Sequence, residues 1–116
     1  MQDFKKLRVW KDSVHLAQVI YRLSDSLPKS EAFGLKSQMR RSVVSISSNI
    51  AEGSGRGSAL DFARFLQMSI GSASELENQI LIAQELGFLS KSTDAIDEVT
   101  AVRKQLRAFL QKVIDV

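Results

Sequence analysis

Arg40 and Arg41 stand side by side in the stretch QMRRSVVSISSNIAEGSGRG, residues 38–57. A guanidinium presents a fork of donors that fits phosphate oxygens two at a time, and several together give salt-sensitive nucleic-acid binding. At 100° per residue Arg41 lies opposite the apolar seam of its helix and Arg40 at the seam's flank. Lys104 and Arg107 share one face of a later helix with Gln111, and Lys5, Lys6, Arg8 and Lys11 surround the chain start. The same informative stretch ends in a glycine-rich turn, Gly53-Ser54-Gly55-Arg56-Gly57-Ser58. A P-loop would need a strand before it and a Gly-Lys-Ser/Thr ending, and neither is present. Backbone N–H groups at the start of the next helix would still converge with Arg56 on a phosphate. A plain connector that reverses the chain is the default reading of the turn. Ion pairing, for instance Arg41 or Arg56 with Glu52, is the alternative use of the same cations.

Other chemistry is poorly supplied. One histidine, His15, and no cysteine leave no ligand set for a metal, and neither Glu75 nor Glu77 is followed by a histidine at the spacing of a di-iron bundle. Serines are plentiful, yet the lone histidine has no local arrangement with them that suggests a nucleophile and its base. Asp94, Asp97 and Glu98 cluster at a helix start, where the positive end of the dipole accounts for them. The expectation is a protein without catalytic residues, metal or cofactor. Base stacking is not signalled either, since no aromatic-rich platform stands out.

The elements that must position these cations are helices. The 116 residues suit one domain, residues 1–116, with 44% hydrophobic and 25% charged residues. One proline and a glycine cluster divide the chain into four amphipathic segments, about 9–26, 30–52, 59–86 and 93–114. Their seams are Val9, Ser13, Leu16, Ile20, Leu23, Leu27; Leu35, Met39, Val43, Ile46, Ile50; Phe62, Leu66, Ser69, Ala73, Leu76, Ile80, Ala83; and Ala95, Val99, Val102, Leu106, Phe109, Val113. Ser58 with Asp61 caps the third helix at its start, and Gly87 followed by Phe88 closes it. Ser92 or Thr93 caps the fourth. Short connections make the fold class all-α, an up-down-up-down antiparallel four-helix bundle. Small residues (Ser45, Ser47 and Ser48 against Ser69, Gly71, Ser72, Ala73 and Ser74) suit a close approach of helices two and three. Val44 and Ala51 lie off the main seam and, with Ser48 and Glu52, are candidates for a contact with another subunit.

Charge is unevenly spread: residues 1–57 hold ten Lys/Arg and five Asp/Glu, whereas residues 58–116 hold six and eight. Such a split suits nucleic-acid contact or head-to-tail association of copies. The start, MQDFKKLRVW, does not read as a signal peptide, and no run is long and apolar enough for a membrane helix, so no membrane partner and a cytoplasmic location are expected.

The segments FKKLRVW (4–10), GL (34–35), QMRR (38–41), SISSNIAEG (45–53), FARFL (62–66), GS (71–72), EL (75–76) and LG (86–87) run through nearly the whole chain in order. With them the chain resembles the four-helix-bundle proteins encoded in bacterial 23S ribosomal-RNA intervening sequences, also called S23 ribosomal proteins. It is similar as well to the accessory variability proteins of diversity-generating retroelements, pentameric bundles that bind a reverse transcriptase and nucleic acid. The resemblance implies a closed bundle and a ring-shaped homopentamer.

The functional expectation is a non-enzymatic homo-oligomer that binds RNA or another nucleic acid through Arg40, Arg41, Arg56, Lys104 and Arg107. The alternative is a protein-interaction scaffold in which the same charges hold subunits or a protein partner and no nucleic acid is bound.

Overall fold

The seams of the sequence become the inside of a bundle in the computed structural model, which describes residues 3–115. Four helices run α1 Arg8–Ser24, α2 Leu35–Ser54, α3 Ala59–Glu85 and α4 Ala95–Ile114, with 3-10 turns at Phe4–Lys6 and Lys29–Glu31. Each helix packs on its sequence neighbours and α1 closes against α4, which makes the up-down-up-down arrangement. There is no strand among the described residues. The result is a rod of about 45 × 23 × 20 Å.

Burial follows the 3.6-residue period closely. All seven α3 seam residues from Phe62 to Ala83 are buried, as are Val9, Ser13, Leu16 and Ile20 of α1, Met39, Val43, Ile46 and Ile50 of α2, and Ala95, Val99, Val102 and Leu106 of α4. Leu23, Leu35, Phe109 and Val113, toward the helix ends, are half-buried. The apolar area removed from water along these seams is the main stabilising contribution.

The ends of the helices show where local rules acted. Ser58 Oγ accepts the Asp61 N–H at 3.1 Å, as its sequence pattern requires. Gly87 has φ 78°, and Phe88 N–H reaches back to the Ala83 carbonyl at 2.8 Å, a left-handed closing turn that favours glycine. α1 stops at Ser24, short of the expected Ser26, because Asp25, Ser26 and Leu27 bond to carbonyls three residues back and tighten the last turn. The second helix starts at Leu35 where the sequence suggested residue 30. Pro28 opens a separate 3-10 turn, Gly34 (ψ −113°) breaks the path, and the Glu31 carboxylate accepts the Leu35 N–H at 3.2 Å. α4 begins at Ala95, two residues after the expected start. Thr93 Oγ1 accepts the Ala95 N–H at 3.4 Å.

The small residues between α2 and α3 make ordinary but close helix packing. The Ser45 and Ser72 hydroxyls meet at 2.9 Å, Ser42 donates to Glu75 at 2.7 Å, and buried Ser69 donates to the Ile46 carbonyl. Gly53 lies against Phe62 and Phe65 with no room for a methyl group. Gly71 does not share in this approach: a Cβ there would meet open space, because residue 71 points outward from the seam marked by Ala73. An exposed mid-helix glycine costs backbone entropy with no packing inside the protomer in return. Gly71→Ala is therefore expected to stabilise the protomer by about 0.5–1 kcal/mol. A urea-denaturation midpoint that falls or stays put would contradict that reading.

Candidate functional site

The two adjacent arginines have different surroundings. α2 turns Arg40 toward α1, where its Nε donates to Ser24 Oγ at 2.9 Å and its Nη2 donates to the Tyr21 carbonyl at 3.1 Å and to Asp25 at 2.8 Å. Its guanidinium also lies 4.4 Å from the Tyr21 ring centroid, over the ring's negative face. Lys36 Nζ reaches the same Asp25 at 3.4 Å. The Lys36 hydrogen bond, with that of Arg40 behind it, holds the Asp25 carboxyl below its ordinary range. Arg41, one residue and 100° further round, is exposed and has no carboxylate within 4.0 Å among the described residues.

Arg56 is committed locally. It pairs with Glu52 at 2.8 Å and stacks 4.7 Å from the Phe65 ring centroid. That is the ion-pair use of Arg56 weighed for the glycine-rich turn. Lys104 and Arg107 are exposed on α4 and, like Arg41, have no carboxylate partner among the described residues. The Ser42–Glu75 and Arg103–Glu77 contacts put Arg41 and Lys104 at one level of the rod, on either side of α3. Arg56 sits roughly 15 residues beyond Arg41, on the order of 20 Å along the rod at 1.5 Å per residue. The five candidate cations therefore form no single patch in one protomer.

The arginine pair instead belongs to a groove the sequence did not reveal. An open groove of about 650 Å³ runs along the α1–α2 face, lined by Tyr21, Ala32, Phe33, Lys36, Ser37, Arg40, Arg41, Val44, Ser45 and Ser48. Among the described residues no carboxylate lines it; Asp25 reaches Lys36 and Arg40 from outside the lining. Phe33, at the end of the α1–α2 connection, is 99% exposed. The only sequence signal for it was an aromatic beside a glycine in a short connection, and that pattern has no period to read. Val44 and Ser48, expected at a subunit contact, line this same groove, whereas Ala51 is half-buried and Glu52 holds Arg56. On the other flank of α2, Arg41 also borders a groove of about 500 Å³ with Gln38, Glu75, Asn78 and Gln79. The Gln79 side-chain Oε1 is buried there without a hydrogen-bond partner among the described residues.

His15 is surface-exposed at 3.8 Å from Glu98, beside a Gln105–Asp12 hydrogen bond of 2.8 Å. No group of three potential metal ligands occurs among the described residues. Among the described residues no helix is long and apolar enough to cross a membrane.

Residues 5–108 match the family model of the 23S rRNA-intervening sequence protein. Among solved structures, the chain is similar to a protein of unknown function from the S23 ribosomal protein family of Bacteroides thetaiotaomicron VPI-5482. The identity is 24%, the TM-score 0.81, and the match covers 88% of this chain and 97% of that one. That likeness shows the shared fold. No curated protein matches the chain. The family match spans most of the sequence, and the chain belongs to the 23S rRNA-intervening sequence protein family.

Proposed function

We propose that this member of the 23S rRNA-intervening sequence protein family works without catalysis, as a homo-oligomeric bundle that binds RNA or another nucleic acid. The observation that supports it best is the groove beside α2, where three cations and no carboxylate line one surface. Even with Asp25 counted, the cluster has three positive charges to one negative. Lys104 and Arg107 form a second, separate positive pair on the far side of α3. Phosphates are the natural counterpart of such a surface. The likeness to retroelement accessory proteins rests on the sequence motifs alone.

Assembly multiplies a modest patch into useful affinity. We assign it to the outward face of α3, leaving the α2 groove to the ligand. Leu60, Met68 and Ile82 are exposed on α3 and Leu86 just past its end, and between Leu60 and Ile82 the charges that reach solvent are Asp61, which pairs with Arg64, Arg64 itself and Glu75. Apolar surface so thin in charge suits contact with a second copy. Light scattering should give a mass several times the 12.9 kDa protomer, and Met68→Glu with Ile82→Glu should return it to the protomer. A wild-type protein that already runs at the protomer mass would remove assembly from the proposal.

Binding is tested by anisotropy of a labelled RNA hairpin carrying a single-stranded tail, titrated at several salt concentrations. Micromolar or tighter binding that weakens steeply with salt is the expected result. Arg41→Ala should lower the log–log salt slope by about one. No binding at about 50 mM salt, where phosphate contacts are strongest, would leave the scaffold reading. The Arg56–Glu52 pair stacked on Phe65 is the observation that favours that second reading, since it shows one candidate cation used to hold structure.

A further inference from the structure

The groove along α1 and α2 combines three chemistries that single-stranded nucleic acid requires together. Phe33 offers a ring face that nothing in the protomer covers. Tyr21 offers a second, partly exposed ring, held in place by the Arg40 guanidinium stacked on it. Lys36 and Arg41 supply positive charge at the groove, and Ser37, Ser45 and Ser48 also line it. The bases of a duplex are stacked on one another and keep their faces from a protein ring; those of a single strand are free to stack.

We infer that this groove binds a single-stranded segment of nucleic acid, with a base stacked on Phe33 and the adjoining phosphate on Arg41. The inference rests on the nucleic-acid reading above and names its form. Charge complementarity selects this occupant over a protein segment. The lining is positive and free of carboxylates, so an acidic backbone with flat apolar bases matches it better than a mixed-charge protein surface. Phe33 supplies the sequence-tolerant part of the affinity, because every base has a π-face. Arg41 supplies the salt-dependent part. Arg40 is a positioning residue: it fixes Tyr21 and the end of α1 and leaves the phosphate to its neighbour.

The test compares three labelled probes on the full chain: a 12-nucleotide oligouridylate, the same backbone without bases, and a blunt RNA duplex of equal length. The oligouridylate should bind most tightly. Phe33→Ala should weaken it about tenfold with an unchanged salt slope, and Phe33→Trp should keep the affinity. Phe33 is a surface residue, so the variant's folding is not at risk, and an unchanged melting temperature confirms that. Equal affinity for the duplex and oligouridylate, or indifference to Phe33→Ala, overturns the stacked single strand and leaves salt-sensitive nucleic-acid binding standing. Absence of binding to all three probes overturns both. If Phe33→Ala lowers the assembly mass and leaves oligouridylate affinity unchanged, the ring belongs to a contact between copies and the inference fails.

Discussion

Gly53→Ala is expected to destabilise the protomer by about 1–3 kcal/mol, the usual cost of overpacking a filled site. In most helices the change would be favourable, because alanine has the better helix propensity. Here a new Cβ would lie 2.7 Å from Phe65 Cβ and 2.9 Å from Phe62 Cδ1. The Phe62 ring is buried against Phe109 and the Phe65 Cβ is fixed to the α3 backbone, so α2 and α3 must separate at this point. The separation loosens the Arg56 stacking on Phe65 and the turn that follows. Gly71→Ala makes the opposite shift, since its Cβ meets open space. Urea denaturation of both variants beside the wild type checks the pair. Midpoints that move in the same direction would show that packing does not decide these positions.

Arg40→Ala and Arg41→Ala are expected to separate stability from binding. Removal of Arg40 takes away hydrogen bonds to Ser24 and the Tyr21 carbonyl and the cation stacked on Tyr21, a loss of about 2 kcal/mol for a side chain only 27% exposed. Arg41 touches no carboxylate among the described residues, so its loss should change stability by less than about 0.5 kcal/mol and act on nucleic-acid affinity instead. Thermal melts and anisotropy on the two variants read both quantities. Equal destabilisation by the two substitutions would contradict the division of labour.

Acid gives a further check on the Arg40 cluster. The Lys36 and Arg40 contacts hold the Asp25 carboxyl below its ordinary range, so their stabilisation is present above the ordinary carboxylate pKa. It is lost as pH falls through the depressed folded value. The stability gap between wild type and Arg40→Ala should therefore narrow at strongly acid pH, and a gap that widens would be inconsistent with this linkage.

Periodicity made most of the bundle legible. Steps of three and four between Phe62 and Ala83 place every one of those seam residues inside. Capping at Ser58 and closure at Gly87 depend on residues within one turn, so local pattern was sufficient there as well. The start of α2 was less legible, because Ser30 to Phe33 carry no breaker and the interruption depends on how Pro28 and Gly34 direct the backbone together. The candidate cations were visible as residue types, but their environments were not. Arg56 was recognisable as a partner of Glu52 at a four-residue spacing, whereas the attachment of Arg40 to Asp25 spans fifteen residues and two helices. The groove escaped notice because Tyr21, Phe33 and Arg41 come from three separate elements.

By itself the sequence determined which face of each helix is apolar, how many helices there are, and that no metal or nucleophile constellation is spelled out in local spacing. Those properties depend on residues within one or two turns of each other, and a repeat of 3.6 residues is written directly in the chain. Only the tertiary structure decided which flank of α2 meets α1 and which meets α3. That choice ties Arg40 down and leaves Arg41 exposed, closes Gly53 against two phenylalanines and opens Gly71 to solvent, and sets Phe33 at the mouth of a basic groove. The physical reason is that neighbours in a helix are separated by 100°, so adjacent residues of one type meet different partners once the helices have packed.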